Sequence, residues 1–387
     1  MHLLNVVATL SASSGGPATA LHGASRGLAA LGHNVAVLSV NANRAGEPVV
    51  GQGRETRVEA GVRYEYFPLR PPRRWLRSPA LAKALPAAVA AAELVIIHGL
   101  YLHPLLSAGR ACRRLGKPYV LRPLGTLDPV IQERRRWRKR LADRLGGRAL
   151  LDGAAALHFT SEAEREIAQP WLKGQRSFVV PHGVSVPPPP SPDALAAFRA
   201  RWLGDAGPVL LFFSRIAAKK GLAPLVESLP PLLARWPRLK LLLAGADDGL
   251  GTELRRKAAT LGVADAMVFT GHLDGEDVGS ALAAADLFVL PSRSENFGIA
   301  AVEAAGFGVP ALLSPGVAVA AELSAAGAAA LAEPAPEALS AAIAALLADE
   351  GARRALAERG RDFVPRRYGW PAAAARLAEA YRAVLAA

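Results

Sequence analysis

Residues 287–304 of this 387-residue chain, LFVLPSRSENFGIAAVEA, indicate the class of fold. The first four residues of this stretch are apolar and suit a short buried strand, and after a polar loop an apolar-rich segment with helical spacing begins. A strand that leads through a tight turn into a helix is the repeating half of a parallel β-α-β unit. Because the same succession recurs on both sides of this stretch, the sequence predicts an α/β protein.

Short apolar runs alternate with amphipathic segments along the whole chain. The first half has predicted strands at 3–9, 34–40, 62–67, 94–98, 119–122, 155–160 and 177–180, and predicted helices at 19–31, 79–92, 104–115 and 132–145. The second half has predicted strands at 209–213, 240–244, 267–270, 287–290 and 310–313, and predicted helices at 221–235, 252–261, 277–285, 297–306 and 336–347. This alternation favours two doubly wound parallel sheets.

A proline cluster at 187–190 and 192 separates the two halves and predicts a stiff linker. We therefore expect an N-terminal Rossmann-like domain at 1–185, a linker at 186–206 and a C-terminal Rossmann-like domain at 207–368. An amphipathic helix at 369–387 would pack across the domain junction. Open α/β sheets bind ligands at the carboxyl ends of their strands, so function is expected in a cleft between the two domains.

Composition excludes several classes of protein. The hydrophobic share of 51% and the charged share of 20% suit folded cores and exclude a disordered chain. Cys112 is the single cysteine, so a disulfide scaffold is excluded and a reducing compartment is favoured. The first residues suit a strand better than a signal peptide, and no stretch is apolar enough for a membrane span. We expect a cytoplasmic protein.

The charge is strongly basic and unevenly distributed. Forty-six Lys and Arg against thirty-three Asp and Glu give a net charge of +13, which favours anionic partners. Much of the excess lies in two runs in the first half, at 70–77 and at 134–140, with Arg144 and Arg148 after the second. Nucleotides, nucleic acids and anionic membranes are all compatible with this charge.

The loop and helix start at 291–304 carry the clearest functional signal. Asn296-Phe297-Gly298 suits a tight turn that opens a helix, and the unpaired N–H groups of a helix start form an anion site with the helix dipole. Glu295 before the turn and Glu303 within the helix could accept hydrogen bonds from sugar hydroxyls. The alternative is a carboxylate that stabilises the helix dipole and a solvated helix glutamate.

Basic residues follow another predicted strand, at 209–213. Arg215 and Lys220 lie in the turn that leads to the next helix, where an arginine fork and a lysine ammonium can hold a diphosphate. The alternative is that they are ordinary basic residues of an exposed turn, as we expect for Lys219. These two residues alone favour that alternative.

Two features of the first half point to its strand ends. Gly15-Gly16 follow the first strand and allow close approach of a ligand to the backbone, but the G-x-G-x-x-G fingerprint is absent. His98 ends the strand 94–98, where it could bond a sugar hydroxyl, move a proton, or simply bond nearby backbone. No His or Cys cluster has metal-ligand spacing and Asp247-Asp248 is not Asp-x-Asp, so we expect metal independence and no cofactor.

These residues together resemble the retaining GT-B glycosyltransferases of the glycosyltransferase family four group. The resemblance rests on Arg215 with Lys220-Gly221 and on Glu295 and Glu303, which have seven residues between them. It extends to the Gly15-Gly16 loop, His98, Pro181-His-Gly-Val184, Gly245 and Gly271. It implies two facing Rossmann-like domains, with a nucleotide-sugar held mainly by the second and an acceptor mainly by the first.

The resemblance also implies roles for single residues. Arg215 and Lys220 would grip the donor diphosphate, Glu303 the ribose and Glu295 the donor sugar. Backbone groups of Gly16, Gly271, Phe297, Gly298 and Ile299 would line the donor site, and His98 would contact the transferred sugar. The family retains anomeric configuration, which fits the absence of an obvious nucleophile. Many relatives have asparagine where this chain has His182, so that residue receives no role.

The segment 121–129 and the basic run after it resemble members that build exopolysaccharide or lipopolysaccharide on lipid carriers. Thr126 and Asp128 would then line an acceptor site. The run itself consists of Arg134, Arg135, Arg136, Trp137, Arg138, Lys139 and Arg140. It could dock on an anionic leaflet, at roughly 1 kcal/mol per basic residue, or be a solvated basic helix.

Three functions compete at this stage. The leading one is an enzyme that moves a hexose from a nucleoside diphosphate to a carbohydrate or lipid-linked hydroxyl, with no nucleic acid as partner. GDP-mannose, UDP-glucose and UDP-N-acetylglucosamine are compatible donors. The alternatives are a non-catalytic polyanion or nucleic-acid binder that uses the same basic surface, and a GT-B sugar-nucleotide epimerase without an acceptor.

Overall fold

The computed structural model describes residues 1–11, 16–43, 46–51, 53–129, 132, 139 and 141–387. The chain divides into two compact units. Unit 1 consists of Met1–Gly183 and Trp370–Ala387, and unit 2 consists of Val184–Gly369. The stretch expected as a linker, 186–206, lies in unit 2, and the C-terminal helix lies in unit 1.

Unit 1 is built on an eight-stranded sheet with helices on both faces. Its strands are β1 (His2–Thr9), β2 (Asn34–Asn41), β3 (Glu55–Glu59), β4 (Val62–Pro68), β5 (Leu94–His98), β6 (Tyr119–Arg122), β7 (Ala156–Phe159) and β8 (Ser177–Val179). Its helices up to residue 183 are α1 (Gly16–Ala30), α2 (Pro79–Ala91), α3 (His103–Arg114), α4 (Arg148–Asp152) and α5 (Glu162–Ala168). The strand order is β3-β4-β2-β1-β5-β6-β7-β8, and β3 alone runs antiparallel to its neighbour.

The buried strands of unit 1 have apolar residues on both faces, as a doubly covered parallel sheet requires. In β1, Leu4 and Val6 pack with α2 and α3, whereas Leu3 on the other face packs with α1. These two layers form separate cores above and below the sheet. The central strands β5, β6 and β7 are therefore fully buried, whereas β8 is only partly buried.

Unit 2 is a second parallel sheet. Its strands are β9 (Val209–Phe213), β10 (Lys240–Ala244), β11 (Met267–Gly271), β12 (Leu287–Leu290), β13 (Ala311–Leu313) and β14 (Ala330–Leu331). Its helices are α6 (Pro192–Trp202), α7 (Leu222–Glu227), α8 (Leu229–Arg235), α9 (Gly251–Thr260), α10 (Glu276–Ala283), α11 (Ile299–Phe307), α12 (Ala320–Ala325), α13 (Pro336–Ala348) and α14 (Glu350–Tyr368). The strand order β11-β10-β9-β12-β13-β14 is the doubly wound order 3-2-1-4-5-6.

The C-terminal helix α15 (Trp370–Leu385) packs on α1 in unit 1. Its buried side chains include Leu377 and Tyr381, in keeping with the amphipathic pattern. Trp370 at its start lies against Gly23 and Gly183, where an added Cβ would come within 2.0 Å and 2.2 Å of the indole. The absence of side chains at these two positions therefore makes room for the first turn of α15.

Several elements differ from the sequence-based expectation. The predicted helix 221–235 is divided into α7 and α8 at Ser228, next to two prolines. The proline-rich stretch continues into α6, which Ser191 caps by accepting a hydrogen bond from the Ala194 N–H and which has Pro192 in its first turn. Strands β3 and β14 and helices α4, α5, α6, α12 and α14 were not predicted. No helix in the described part of the chain is long and apolar enough to cross a bilayer.

Candidate active site

The candidate donor site lies in unit 2, where the strand order reverses. Strands β9 and β12 are neighbours in the sheet, with Leu210 opposite Leu287 and Leu211 opposite Phe288. The segments after these strands, 214–221 and 291–298, leave the same edge side by side, and Arg293 donates its N–H to the Lys219 carbonyl at 2.9 Å. A switch point of this kind is where doubly wound sheets bind nucleotides.

The segment after β9 is held close to the segment after β12. Gly221 has φ +69°, and a Cβ at this position would lie 1.9 Å from the Pro291 carbonyl oxygen. No residue with a side chain fits there, so Gly221 allows the backbone contact that places Lys220. Ile216, buried at the start of the turn, donates its N–H to the Ala246 carbonyl at 2.9 Å and ties the turn to the sheet.

Lys220 and Glu295, two of the predicted donor residues, form an ion pair with each other. Their side chains are 7% and 18% exposed, and the Lys220 Nζ donates to a Glu295 carboxylate oxygen. Burial lowers the pKa of Lys220, while the attraction of Glu295 opposes this shift. The pair keeps an ammonium at the switch point without an uncompensated buried charge.

Arg215 is placed at the mouth of the same edge. Its Nη1 lies 2.8 Å from the Asp248 Oδ2, and the two side chains are 46% and 53% exposed. An exposed pair of this kind is weak, so the guanidinium can exchange its partner at little cost. Asp247, beside Asp248, accepts hydrogen bonds from the N–H groups of Gly249, Leu250 and Gly251 and is therefore a turn residue.

The segment after β12 ends in a rigid helix start. Glu295 donates its N–H to Gly316 at 2.9 Å and accepts from Ala318 at 3.0 Å, so its backbone is held from both sides. Phe297 is buried, with its ring edge-on to Tyr368 at 5.7 Å. Gly298, with φ +97°, precedes α11. The Ala301 and Val302 N–H groups donate to the Gly298 carbonyl at 2.9 Å and 3.2 Å, whereas those of Ile299 and Ala300 lie beyond the reach of the helix's own carbonyls. A helix start of this kind can bind an anion.

Glu303 lies one turn into α11 and is partly buried. Burial raises the pKa of its carboxyl group to about 7. No ion pair or hydrogen bond joins its side chain to another residue in the described part of the protein. A carboxylate without a partner beside a helix start is suited to accept hydrogen bonds from a polyol.

Gly271 ends β11 on the far side of β10 from β9, and its carbonyl accepts the Gly245 N–H at 2.8 Å. Gly271 is exposed and has φ +74°. It therefore lies on the same carboxyl edge of the sheet, two strands away from Arg215. The predicted donor residues of unit 2 thus all belong to this edge or to the start of α11.

In unit 1, His98 ends β5 as predicted, but it is buried and bonded. Its Nε2 lies 2.9 Å from the Asn5 Oδ1. Burial, together with the charge of Arg122, lowers the pKa of His98 well below its ordinary value, so the imidazole is neutral. Gly16 is the first residue of α1, and the residues that precede it at 12–15 lie outside the described part of the structure.

Thr126 and Asp128 lie in the turn that follows β6. The Thr126 hydroxyl donates to the Pro123 carbonyl at 2.7 Å, and Asp128 donates its N–H to Gly125 at 3.2 Å. Sequence reasoning missed Glu164, the buried residue that holds this turn. Its carboxylate accepts from the Gly125 N–H, the Thr160 N–H and the Thr160 hydroxyl, each at 2.8 Å. The motif Ser161-x-x-Glu164 is a capping-box signal that could have drawn attention to it.

Of the predicted membrane-docking run, Lys139 is described, and 134–138 and 140 lie outside the described residues. Burial lowers the pKa of Lys139, while Asp143 acts in the opposite direction. After the run, Leu141 and Leu145 are 43% and 46% exposed and are four residues apart. These two side chains form an exposed apolar pair next to the basic residues.

Among the described residues, no group of three or more His, Cys, Asp or Glu side chains is arranged to hold a metal ion. Metal independence and the absence of a cofactor remain predictions. The structure brings the donor-site candidates of unit 2 together at one sheet edge, whereas Gly16, His98 and the acceptor-site candidates lie in unit 1.

Curated proteins are similar to this chain over part of its length. A GDP-mannose-dependent alpha-(1-6)-phosphatidylinositol monomannoside mannosyltransferase from Mycolicibacterium smegmatis is 35% identical over 199 residues, which is 49% of this chain and 52% of the relative. A mannosylfructose-phosphate synthase from Agrobacterium fabrum is 34% identical over 122 residues, 30% of this chain and 27% of the relative. The chain thus spans about half or less of the length of these relatives.

Solved structures are similar over the full length. Sucrose-phosphate synthase from Thermosynechococcus elongatus has a TM-score of 0.75 and 22% identity, with all of both chains covered. HepE from Anabaena in complex with UDP-glucose has a TM-score of 0.76 and 21% identity, with 99% of this chain and 100% of that chain covered. The predicted GT-B fold is confirmed.

Family models match both halves of the chain. The model for a glycosyl transferase 4-like domain matches residues 15–183, and the model for glycosyl transferases group 1 matches residues 182–363. The two matches adjoin at the boundary between unit 1 and unit 2. The chain therefore belongs to the group 1 glycosyltransferases, with a 4-like domain as its first half.

Proposed function

We propose that this protein is a retaining hexosyltransferase that moves a hexose from a nucleoside-diphosphate sugar to a hydroxyl of a carbohydrate or lipid-linked glycan. The observation that carries the proposal is the grouping of Arg215, Lys220 and the start of α11 at the switch point of the unit 2 sheet. Two cations and a set of unpaired N–H groups at one sheet edge suit a diphosphate.

The carboxylates extend this site toward the two ends of the donor. Glu303, which has no ion-pair partner, would accept hydrogen bonds from the ribose hydroxyls. Glu295 would turn from Lys220 toward the hexose hydroxyls, while Lys220 moves its contact to the diphosphate. The ammonium then neutralises the charge that develops on the leaving phosphate. Electrostatic stabilisation of this kind is usually the largest single contribution to catalysis.

The reaction breaks the bond between the anomeric carbon and the diphosphate oxygen, and the bonding electrons stay on that oxygen. The acceptor oxygen forms its new bond on the same face of the sugar, and its proton passes to the leaving phosphate. The products are a glycoside and a nucleoside diphosphate. No protein nucleophile is required. The lowered pKa of His98 makes its imidazole a weak proton acceptor, so His98 would position the sugar and not act as a base.

GDP-mannose is the first donor to test, because one relative is a GDP-mannose-dependent mannosyltransferase. UDP-glucose is the second, because a structural neighbour is in complex with that compound. The GDP-mannose-dependent relative is a phosphatidylinositol monomannoside mannosyltransferase, which favours a lipid-linked acceptor over a free sugar. Synthesis of exopolysaccharide or lipopolysaccharide is one setting for such an acceptor.

The basic run and the pair Leu141 and Leu145 favour work at the cytoplasmic face of an anionic membrane. Arginines attract the lipid headgroups, while exposed leucines insert among the acyl chains. Thr126 and Asp128, in the turn that precedes the run, would then meet the hydroxyl end of a lipid-linked acceptor. The catalytic cycle would take place at the membrane surface where this substrate resides.

The test is product analysis with purified full-length protein. GDP-mannose and UDP-glucose are supplied with and without a lipid extract as acceptor source, and with and without EDTA. We expect transfer from one donor and no loss of activity in EDTA. The glycosidic bond of the product should have the same anomeric configuration as the donor. Conversion of the donor sugar without acceptor would favour an epimerase. No binding of any nucleotide, together with salt-sensitive binding to polyanions, would favour the non-catalytic alternative.

A further inference from the structure

A row of polar side chains is buried on one face of the unit 1 sheet, near the carboxyl ends of its strands. His98 of β5 pairs with Arg122 of β6. On the other side of β6, Leu121 pairs with Leu157 of β7, so His158, the next residue of β7, follows beside Arg122. These three residues of the row are 5%, 3% and 2% exposed. Because side chains alternate along a strand, they share the face on which α1 and α15 pack.

This row contains one fixed positive charge. Burial is the main cause that lowers the pKa values of His98 and His158 well below the ordinary value and that of His182 to about 3, and the Arg122 charge adds to each shift. The three imidazoles are therefore neutral at physiological pH. Arg122 keeps its charge, because a guanidinium is not deprotonated in proteins.

The Arg122 guanidinium is poorly compensated by the rest of the described structure. Its one hydrogen-bond partner is the His182 Nδ1, 3.4 Å from Nη2, and its buried Nε has no partner. The nearest buried carboxylate, Glu164, attracts Arg122 from beyond ion-pair distance and already accepts three hydrogen bonds. Tyr381 is also near, but burial raises the pKa of its hydroxyl to about 12, so it carries no charge.

A buried cation without an anion is costly, and proteins rarely keep one for stability alone. The same row contains a second unsatisfied donor, the Asn5 Nδ2. A tetrahedral anion beside Arg122 could therefore accept hydrogen bonds from the arginine fork.

We propose that Arg122 is an anion-binding residue of unit 1, which takes a phosphate group of a substrate at the carboxyl end of β6. This site is separate from the Lys220 site of unit 2. The inference rests on the proposed function only for the source of the phosphate. That source is a phosphorylated acceptor, because the proposed function gives the donor diphosphate to the unit 2 site.

The test uses the full chain and inorganic pyrophosphate as probe, with binding measured by thermal shift and by calorimetry. We expect Arg122→Met to lower the affinity of unit 1 for pyrophosphate at least about tenfold, because one charge-assisted contact is lost. Arg122→Lys should keep part of the binding. Arg110→Met, at an exposed position of α3, is the matched control and should bind as the wild type does. Lys220→Met reports the unit 2 site alone and should leave the Arg122-dependent binding intact.

The melting temperature separates a binding arginine from a structural one. If Arg122 serves a ligand, Arg122→Met removes an uncompensated buried charge, and the unliganded variant should melt at or above the wild-type temperature. A drop of several degrees, or pyrophosphate binding equal to that of the wild type, would overturn the proposal. If Arg122→Met does not fold, the Nε–H resonance of Arg122 in arginine-labelled wild type must move when pyrophosphate is added, and a resonance that stays in place also overturns it.

Two further measurements test the source of the phosphate. Unchanged binding of GDP or UDP to Arg122→Met, with a raised KM for a phosphorylated acceptor, would support the acceptor as the source. Weaker nucleotide binding to Arg122→Met would overturn the assignment of a separate acceptor site. Failure of the proposed function would be seen separately. Either the wild type would not bind nucleotides, or Lys220→Met would bind them as tightly as the wild type does.

Discussion

Glu303 combines a functional role with a cost in stability. Its carboxyl group has a pKa raised by burial from 4.5 to about 7. Protonation therefore favours the folded state: the contribution to stability is fully present below pH 4.5 and is lost as the pH rises through 7. The loss amounts to up to about 3 kcal/mol. Such a cost is expected where a carboxylate is kept for a ligand and not for the fold.

Glu303→Gln should relieve this cost while weakening donor binding. We expect the melting temperature of the variant minus that of the wild type to increase from pH 4.5 to pH 8. The reason is that Glu303 ionises over this range in the wild type, whereas glutamine does not ionise. Nucleotide affinity should fall about tenfold or more, since a carboxylate is the stronger acceptor for ribose hydroxyls. Glu253→Gln, at an exposed position of α9, is the control. A stability difference that does not change with pH would contradict the assignment.

The ion pair of Lys220 and Glu295 makes a second prediction at the residue scale. Lys220→Met or Glu295→Gln alone leaves a largely buried group without its partner and should lower the free energy of unfolding by about 2–4 kcal/mol. The double variant should lose clearly less than the sum of the two single variants. Urea unfolding of all four proteins measures the coupling. The exposed pair Arg354 and Glu350 on α14 is the comparison and should show a coupling below about 0.5 kcal/mol.

Additive losses at Lys220 and Glu295 would mean that the two side chains do not interact in solution. Activity gives an independent readout, because both single variants should also lose donor turnover. A variant that keeps its turnover while losing stability would separate the ion pair from the reaction.

Sequence reasoning named Arg215, Lys220 and Glu295, because charged residues that follow predicted strands lie at one sheet edge, and Lys220 was found although it is buried. It did not name Arg122. The burial of Arg122 depends on α15 and on the loop of His182, which are far from it in sequence. No local pattern around residue 122 could therefore reveal a charge without a counter-ion.

At the scale of elements, the start of α11 shapes the anion site. Gly298 has φ +97°, and an added Cβ would lie 2.7 Å from the Val317 Cγ1. Gly298→Ala must therefore strain the backbone and displace Val317, which should cost about 2 kcal/mol and turn the first N–H groups of the helix away from the phosphate.

Gly262→Ala separates the two effects of the Gly298 substitution. Gly262 follows α9 with φ +69°, and nothing lies within 4 Å of an added Cβ, so the control carries the conformational strain alone. We expect about 1 kcal/mol of destabilisation for Gly262→Ala with unchanged nucleotide affinity. Equal nucleotide affinities for the two variants would show that α11 does not bind the phosphate.

The elements that were predicted and missed follow a physical rule. Buried strands were found because their apolar runs are continuous, whereas β3 was missed because its residues are polar and largely exposed at the sheet edge. Helix α6 was missed because the prolines before it suggested a linker, although Ser191 and Pro192 are an ordinary helix start. Interior elements are fixed by local pattern, whereas edge elements depend on neighbours that the pattern does not reveal.

At the scale of the whole molecule, the net charge of +13 does not by itself identify a partner. The run at 134–140 differs from the run at 70–77 in one respect. Leu141 and Leu145 are exposed directly after the run at 134–140. In the run at 70–77, Arg73 and Arg74 lie in a short turn without an exposed apolar pair. Charge attracts a protein to an anionic bilayer, but apolar side chains are needed to hold it there.

Neutralising the basic residues of 134–140 to glutamine should therefore lower binding to vesicles that contain anionic lipid by one to two orders of magnitude, at about 1 kcal/mol for each residue that contacts the surface. Leu141→Ser with Leu145→Ser should lower it further, and in a way that added salt does not mimic. Hydrolysis of the nucleotide-sugar in solution should persist in both variants, because the donor residues belong to unit 2. Neutralising Arg70, Arg73, Arg74 and Arg77 removes a similar charge without an adjacent apolar pair and should have the smaller effect. Co-sedimentation with vesicles at two salt concentrations measures the vesicle affinity of each variant. Equal losses of affinity from the two basic runs would mean that the protein responds to net charge alone. In that case it would have no docking surface at 134–145.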